Sequence, residues 1–197
     1  MDLLIATKNP GKFKEISASL AALPVNFLSL EDLGIQDDFD EVGESFEQIA
    51  LDKARFYAGL SGLPTVADDS GIFVEALAGE LGLKTRRWGA GAEASDGEWL
   101  EHFMQRMKDE KNRKAKFICA AAWSSPDSEK VFLGESEGMI TDTVEAPVQH
   151  GIPLSSVFKP LNYDKVYSAL TADEKTAISH RGKAFKALLE YAQTLRF

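Results

Sequence analysis

The chain is poor in cysteine, in positive charge and in long apolar runs. Cys119 is its single cysteine, which excludes an intramolecular disulfide and favours a reducing compartment. The 22 Lys and Arg residues are outnumbered by 31 Asp and Glu residues, and the formal net charge of −9 argues against a general nucleic-acid or membrane-surface binder. No apolar run is long enough to span a membrane, and the N-terminus lacks the basic region of a signal peptide. We therefore expect a cytoplasmic protein with neither nucleic acid nor a membrane as partner.

The remaining composition fits one domain of mixed α/β class. A chain of 197 residues with 44% hydrophobic residues can bury a sizeable core. Helix and strand patterns alternate early, and two strand patterns lie together in the middle. The charged segments Glu31–Glu44 and Asp109–Lys116 are expected to be exposed loops. The expected strands are Leu3–Ala6, Val25–Leu30, Thr65–Ala67, Gly71–Leu77, Phe117–Ser124 and Val131–Ile140, and the main expected helices are Lys12–Leu23, Ser45–Leu60, Ser95–Lys108 and Ser179–Leu195.

Two adjacent carboxylates, Asp68 and Asp69, follow a short apolar stretch within the segment Ala67–Gly71. In α/β proteins ligands bind beyond the carboxyl ends of strands, and acidic side chains there suit metal binding or proton abstraction. Asp, Ser and Gly also form ordinary turns, so this segment alone leaves a turn and a catalytic pair as alternatives. Because successive strand residues point to opposite faces, one carboxylate could face a ligand while the other holds the turn.

Two cationic side chains fall on apolar helix faces. At about 100° per residue, Lys53 projects onto the apolar face of the second helix, and Arg181 projects in line with the apolar stripe of the last helix, next to Ser179 and His180. A buried cation is unfavourable unless it is paired or meets an anion, and a helix N-terminus attracts anions. The alternatives are a lysine whose stem reaches out to water and an arginine paired with a carboxylate.

The loop Thr7–Lys12 is a third place with anion-binding character. It follows a strand and opens a helix, so backbone amides, a hydroxyl and a lysine can surround a phosphate. It lacks the Walker pattern, and Asn-Pro-Gly is also a plain turn. A polyphosphate with Mg²⁺ would suit the whole set, because this ion binds through one or two carboxylates, water and phosphate oxygens. The set comprises the cations Lys12, Lys53, Lys175 and Arg181 and the acids Asp40, Glu41, Asp68 and Asp69.

Together these segments resemble the inosine triphosphate pyrophosphatase family, the RdgB-like non-canonical purine nucleoside triphosphatases. The segment from Ala6 to Lys12 resembles the nucleotide-binding loop of that family, and Ala67–Gly71 resembles its most recognisable block. Glu41–Ala54 resembles the segment with a metal-binding acid and a phosphate lysine, and Glu174–Gly182 resembles the C-terminal block. The resemblance covers nearly the whole chain. It implies a single domain over residues 1–197, with a curved mixed β-sheet, helices in two lobes around a central nucleotide cleft, and a homodimer.

The resemblance also implies a reaction and its residues. Asp69 would be the general base that activates water, with Mg²⁺ held by Asp69 and by Asp40 or Glu41. Hydrolysis between the α and β phosphates of a nucleoside triphosphate would give a nucleoside monophosphate and pyrophosphate. The residues expected to contact substrate are Thr7, Lys8, Asn9, Pro10, Gly11, Lys12, Lys53, Ser70, Arg87, Ile152, Pro153, Leu154, Ser155, Lys175, His180 and Arg181.

The chain departs from the family pattern in the segment 151–158. The family typically has Gly-Phe-Gly-Tyr-Asp-Pro-Ile-Phe, where this chain has Ile152 at the aromatic position and Ser155 at the acidic one. An aliphatic side chain would replace the stacking surface for the base, and a hydroxyl would replace the charge that helps select the purine edge. Two alternatives therefore stay open: a nucleotide-binding or regulatory homologue with lost turnover, and a phosphatase of another pyrophosphate-bearing metabolite.

Overall fold

The computed structural model describes residues 1–90 and 94–195, without the side chains of Arg86 and Arg87. In this part of the chain, one six-stranded sheet is accompanied by five α-helices, which confirms the α/β class. The strands are β1 (Asp2–Ile5), β2 (Asn26–Leu28), β3 (Thr65–Val74), β4 (Lys114–Ser125), β5 (Ser128–Ile140) and β6 (Phe158–Pro160). The α-helices are α1 (Pro10–Ser19), α2 (Phe46–Ser61), α3 (Asp96–Met107), α4 (Ala172–Ile178) and α5 (His180–Ala192). Short 3₁₀ helices cover Glu75–Leu77, Gly82–Arg87, Pro153–Ser156 and Tyr167–Ala169.

The sheet is mixed, as the family resemblance implies. Its strand order is β2-β1-β3-β4-β5-β6. β1 runs parallel to both β2 and β3, whereas the β3–β4, β4–β5 and β5–β6 pairs are antiparallel. No helix in the described residues is both long and apolar enough to cross a membrane.

The segment around Asp68 and Asp69 is strand and not the predicted turn. β3 continues from Thr65 through both aspartates to Val74, and every one of its ten residues is in register with a residue of β4. The prediction of two strands separated by a turn is therefore wrong. Turn-prone residue types are outweighed here by the uninterrupted antiparallel ladder, with Asp68 opposite Ala121 and Asp69 opposite Ala120.

The helix ends follow local capping chemistry more closely than the hydrophobic pattern. α1 begins at Pro10 because the Asn9 side chain accepts a hydrogen bond from the Lys12 N–H at 3.0 Å and proline suits the first helical position. The predicted extension to Leu23 is wrong, since the helix ends at Ser19, although Leu23 is still buried. The predicted helix over 45–60 is confirmed as α2, with its N-cap at Ser45, whereas α5, capped by Ser179, ends at Ala192, before the predicted end at Leu195.

The two faces of β3 belong to different parts of the core. Val66 packs in a cluster with Cys119 of β4 and with buried residues of α1 and α5, such as Ile16 and Phe185. Ala67 packs in a second cluster with residues of α2 that include Tyr57. Because side chains alternate along a strand, Asp68 lies on the α1–α5 face and Asp69 on the α2 face.

Candidate active site

A cleft of about 640 Å³ collects most of the side chains that the sequence predicts for a site. Aromatic side chains that were not predicted, Phe39, Trp99, Phe117 and Tyr167, also line it. The predicted residues along its wall are Thr7, Lys8, Asn9, Pro10, Lys12, Asp40, Glu41, Lys53, Asp69, Ser70, Ile152, Pro153, Leu154, Ser155, Lys175, His180 and Arg181. Residues 7–12 and 175–181, which are far apart in the sequence, therefore meet in this cleft. They do so because β3 lies in the middle of the sheet and its Asp68 pairs with both Lys12 and Arg181.

Gly11 does not line the cleft in the described part of the chain. Gly11 lies behind the first loop, where a Cβ would come within 2.7 Å of the His150 carbonyl oxygen and 3.3 Å of Ile152 Cγ1. Glycine at this position lets the start of α1 approach the segment that contains Ile152. The side chain of Arg87 lies outside the described residues.

Asp69 is a buried carboxylate on the α2 face. Only 8% of the residue is exposed, and this burial raises its pKa to about 6, against the opposing positive charges of Lys12 and Lys53. The negative charges of Glu41 and Asp68 raise its pKa further. A carboxyl whose pKa lies near neutrality can accept a proton more readily than an ordinary aspartate, which suits a general base.

Lys53 confirms the inference from helical projection that a cation sits on the apolar side of α2. It is 7% exposed, and its Nζ lies 2.7 Å from Glu41 Oε1. Burial would lower the pKa of Lys53, but the carboxylates of Glu41, Asp68 and Asp69 outweigh burial and raise it. The lysine therefore keeps its positive charge beside the carboxyl groups at the cleft.

Asp68 has the opposite character to Asp69. It is fully buried, and its Oδ2 lies 3.1 Å from both Lys12 Nζ and Arg181 Nε. Burial would raise its pKa, but the positive charges of Lys12, Arg181 and Lys53 hold the pKa well below the usual range. The expectation that one of the two aspartates holds a turn is thus corrected: Asp68 holds two cations in place, one from α1 and one from α5.

Glu15 is a site residue that the sequence analysis missed. Its Oε1 lies 2.6 Å from Lys175 Nζ, and its Oε2 forms an ion pair with Arg181 Nη1. Arg181 also donates to Ser70 Oγ at 2.9 Å, so its guanidinium is paired with carboxylates of its own chain. Helical projection of α1 could have found Glu15, which stands one turn beyond Lys12 and next to the buried Ile16.

His180 belongs to a cluster of rings at the same end of the cleft. It stacks on Phe117 with ring centroids 4.5 Å apart and an interplanar angle of 11°, and the Tyr167 ring lies 6.2 Å from His180 and 6.1 Å from Phe117. Burial and the nearby Arg181 lower the pKa of His180 well below the usual value, so the imidazole is neutral at neutral pH. Lys175 lies 5.7 Å from the Tyr167 ring centre and donates to Ser155 Oγ at 3.3 Å.

Lys8 joins the first loop to the acidic segment. Its Nζ forms an ion pair with Asp38 and donates to the Gln36 carbonyl oxygen at 2.8 Å. Tyr57 of α2 donates to the Asp37 carbonyl oxygen at 3.0 Å. These contacts place Phe39, Asp40 and Glu41 along the wall of the cleft.

The donor set of the cleft fits Mg²⁺ with substrate as a further ligand. Within residues 1–90 and 94–195, no three His, Cys, Asp or Glu side chains form a chelating group. Asp69 and Glu41 both line the cleft and interact electrostatically. Mg²⁺ is often bound by only one or two carboxylates, with water and phosphate oxygens completing the octahedron. Two oxygen-donor side chains are therefore enough for that ion when it arrives with a polyphosphate.

Comparison with known proteins identifies the family. The sequence model of the Ham1 family matches residues 3–191. A protein of Streptomyces coelicolor named dITP/XTP pyrophosphatase is 38% identical over 199 residues, which covers 98% of each chain. A protein of the same name from Leptospira interrogans is 33% identical over 192 residues, covering 98% of this chain and 97% of that protein. The solved structure of the Staphylococcus aureus Ham1 protein has a TM-score of 0.81 and 29% identity, covering 98% of this chain and 99% of that chain. The resemblance inferred from the motifs is confirmed, and the chain belongs to the Ham1 family.

Proposed function

We propose that this protein hydrolyses nucleoside triphosphates to a nucleoside monophosphate and pyrophosphate, with non-canonical purine nucleotides such as inosine and xanthosine triphosphates and their deoxy forms as substrates. The observation that carries the proposal is the cleft in which Asp69, with its pKa raised to about 6, lies near Lys12 and Lys53. The names of the relatives from Streptomyces coelicolor and Leptospira interrogans support the same reaction.

Asp69 acts as the general base in this mechanism. Its carboxylate accepts a proton from a water molecule as the oxygen of that water attacks one phosphorus of the anhydride between the α and β phosphates. The bond from that phosphorus to the bridging oxygen breaks, and the bridging oxygen leaves with the other phosphate, giving monophosphate and pyrophosphate. Asp69 is 8% exposed at the wall of the cleft, and in the metal-free site its pKa is raised to about 6, so its carboxylate can accept a proton there. General-base catalysis of this kind typically contributes about 10²–10⁴-fold to the rate.

Lys12 and Lys53 supply positive charge where the phosphate chain lies. Phosphoryl transfer depends mainly on positioning and on electrostatic stabilisation of charge that moves to the leaving group. Each lysine is held by a carboxylate of the protein, Lys12 by Asp68 and Lys53 by Glu41. Their ammonium groups are therefore placed before substrate arrives.

Mg²⁺ is the cofactor that this donor set suits, with Asp69 and Glu41 as its protein ligands. When bound, the ion would neutralise phosphate charge and orient the phosphate chain. Between the two acids left open by the sequence, Glu41 is the better candidate because it is partly buried beside Lys53, whereas Asp40 is exposed. Asp69 and Glu41 would each offer a carboxylate oxygen to the ion.

The other end of the cleft takes the nucleoside. Lys175, with its Nζ between Glu15 and Ser155, and the ring of His180 are the groups available to a base there. Ile152 and Leu154 offer aliphatic surface, so base stacking is expected to be weaker than with the aromatic of the family pattern.

We further propose a homodimer, a cytoplasmic location and an organisation of the single domain as two lobes around this cleft.

The test is a substrate panel in the presence of Mg²⁺. Inosine, xanthosine, deoxyinosine and standard nucleoside triphosphates are incubated with the purified protein, and pyrophosphate is resolved from orthophosphate. We expect pyrophosphate and monophosphate in equal amounts, fastest with the non-canonical purines. Tight binding without hydrolysis would favour a regulatory homologue, and hydrolysis restricted to a different pyrophosphate-bearing metabolite would favour the third alternative.

A further inference from the structure

The loop before Ile152 is attached to two distant parts of the chain. Asp96, the first residue of α3, accepts hydrogen bonds on Oδ2 from the backbone N–H of Gly151 at 2.7 Å and lies 2.8 Å from His150 Nδ1. On the other side, the Gly151 carbonyl oxygen accepts from Asn9 Nδ2 at 2.7 Å. We call this set of residues, Asn9, Asp96, His150 and Gly151, the clasp.

The clasp connects the two ends of the cleft. Asn9 also accepts from the Lys12 N–H through Oδ1, so one amide side chain caps α1 and holds Gly151 at the same time. The segment that follows Gly151 contains Ile152 and Ser155, which line the nucleoside end, whereas Lys12 lies at the phosphate end. The position of one end relative to the other therefore depends on Gly151.

Packing leaves little freedom in the clasp. Gly151 has φ +78°, a conformation that other residues adopt rarely, and a Cβ on it would overlap the Asn9 side chain. The Asp96 side chain is 12% exposed, while His150 is 83% exposed. The partly buried carboxylate, rather than the exposed imidazole, is thus the fixed point.

We propose that Asp96 is a positioning residue that sets the distance between the phosphate-binding loop and the nucleoside-binding segment through Gly151 and Asn9. The inference rests on the proposed function, because it assumes that a nucleoside triphosphate spans both ends. The start of α1 has further supports of its own in the Asn9 cap and the Lys12–Asp68 ion pair. Loss of Asp96 therefore releases the 149–152 segment and leaves the phosphate end in place.

The test compares two ligands that differ in reach. Calorimetry with Mg²⁺ measures the affinity of the full chain for α,β-methylene inosine triphosphate, which needs both ends, and for tripolyphosphate, which needs only the phosphate end. Asp96→Ala should weaken the nucleotide analogue about tenfold, the effect expected when one hydrogen bond to a charged group is lost, and change tripolyphosphate affinity less than about twofold. Asp96→Asn retains an acceptor for the Gly151 N–H and should recover part of the loss.

Asp173→Ala is the matched control, because Asp173 is an exposed acid in the first turn of α4 and Asp96 is an acid in the first turn of α3. Equal weakening of both ligands by Asp96→Ala, no weakening of either, or the same loss in Asp173→Ala would overturn the positioning role. If Asp96→Ala weakens only the nucleotide analogue, but the wild type releases no pyrophosphate from inosine triphosphate, the proposed activity is overturned and the positioning role is supported.

Discussion

At the scale of single residues, Asp68 and Asp69 differ in their ion pairs and in the direction in which their pKa values shift. Asp68 forms ion pairs at 3.1 Å with Lys12 and Arg181, and these charges hold its pKa well below the usual range against the effect of burial. Asp69 lies on the other face of β3, where burial raises its pKa to about 6. Asp68 therefore has a structural purpose, whereas the proposed function gives Asp69 a chemical one.

Asp68→Asn should destabilise the protein, whereas Asp69→Asn should not. Removing the Asp68 charge leaves Arg181 and Lys12 buried without their shared carboxylate, and breaking a buried pair lowers the free energy of unfolding by about 3–5 kcal/mol. Because the pKa of Asp69 is raised to about 6, its ionised form is less favourable in the folded protein than in the unfolded chain, and removing this charge at pH 7 should not lower stability. Urea denaturation of both variants without Mg²⁺ measures the difference, and equal stability of the two would contradict the assignment.

The sequence indicates the acids and cations of the candidate site but not their pairing. Helical projection placed Lys53 and Arg181 correctly on apolar faces, because that inference needs only local periodicity. It could not show that Arg181 meets Asp68 and Glu15, since these contacts join α5 to β3 and α1 across 113 and 166 residues. Such pairs depend on the sheet order, which no local pattern contains.

At the scale of elements, the close approach of β3 to the 3₁₀ helix Gly82–Arg87 depends on one glycine. A Cβ on Gly71 would overlap the Gly82 carbonyl oxygen and come within 2.9 Å of Thr85 Oγ1. Thr85 accepts from the Ile72 N–H at 3.1 Å and donates to the Gly82 carbonyl oxygen at 2.6 Å. The segment is thereby packed directly against the strand that contains Asp69.

Gly71→Ala should lower the free energy of unfolding by about 1–3 kcal/mol, the usual effect of overpacking. The matched control is Gly59→Ala in α2, where nothing lies within 4 Å of the added Cβ. This control should raise stability by about 0.5–1 kcal/mol, because alanine is favoured over glycine inside a helix. Thermal or urea unfolding checks both, and a Gly71→Ala variant as stable as the wild type would show that the strand and the 3₁₀ helix can separate freely.

β3, which contains both aspartates, shows why the sequence predicts the type of an element better than the residues at which it begins and ends. Asp, Ser and Gly at 68–71 favour a turn by their own backbone preferences. In the fold, β4 supplies a partner for each residue from Thr65 to Val74, and the ladder overrides those preferences. The first helix shows the converse case, since Asn9 and Pro10 set its start more exactly than the apolar spacing that follows.

At the scale of the whole molecule, buried charges connect the outer helices to the sheet. Glu15 of α1 pairs with Lys175 of α4 and Arg181 of α5, and Arg181 pairs in turn with Asp68 of β3. Burial would raise the pKa of Glu15, but the two cations outweigh it and lower the pKa. Four elements are thus joined by charges that must stay ionised together.

Glu15→Gln should make the free energy of unfolding depend less on pH in the acidic range. A carboxyl with a lowered pKa in the folded state contributes stability above its ordinary pKa of about 4.3, and this contribution is lost as pH falls through the folded-state pKa. The difference between wild type and Glu15→Gln should therefore be largest near neutral pH and shrink on acidification, by about 1.4 kcal/mol for each unit of lowered pKa. Urea unfolding at a series of pH values measures it.

The exposed Glu101→Gln serves as the control for Glu15→Gln, because Glu101 lies on the solvent side of α3. This variant should follow the wild-type curve at every pH. A constant difference between wild type and Glu15→Gln down to about pH 2 would show that Glu15 acts by packing and not by charge.

The segment 151–158, at the nucleoside end of the cleft, departs from the family pattern more than the rest of the site does. Ile152 and Ser155 depart from the pattern, yet the fold places both in the cleft. The residues proposed for phosphate binding and for the general base lie on β3, α1 and α2, which keep the family motifs. Selectivity for the base is therefore the property in which this protein is expected to differ from its relatives.

The most direct test of pyrophosphate release with Asp69 as general base is product formation from inosine triphosphate with Mg²⁺. Inosine monophosphate, pyrophosphate and orthophosphate are quantified together for the wild type and for Asp69→Asn. The wild type should release monophosphate and pyrophosphate in equal amounts, and the variant should be slower by about 10²–10⁴-fold while still binding the α,β-methylene analogue. Orthophosphate as the first product, or an Asp69→Asn variant as fast as the wild type, would contradict the account.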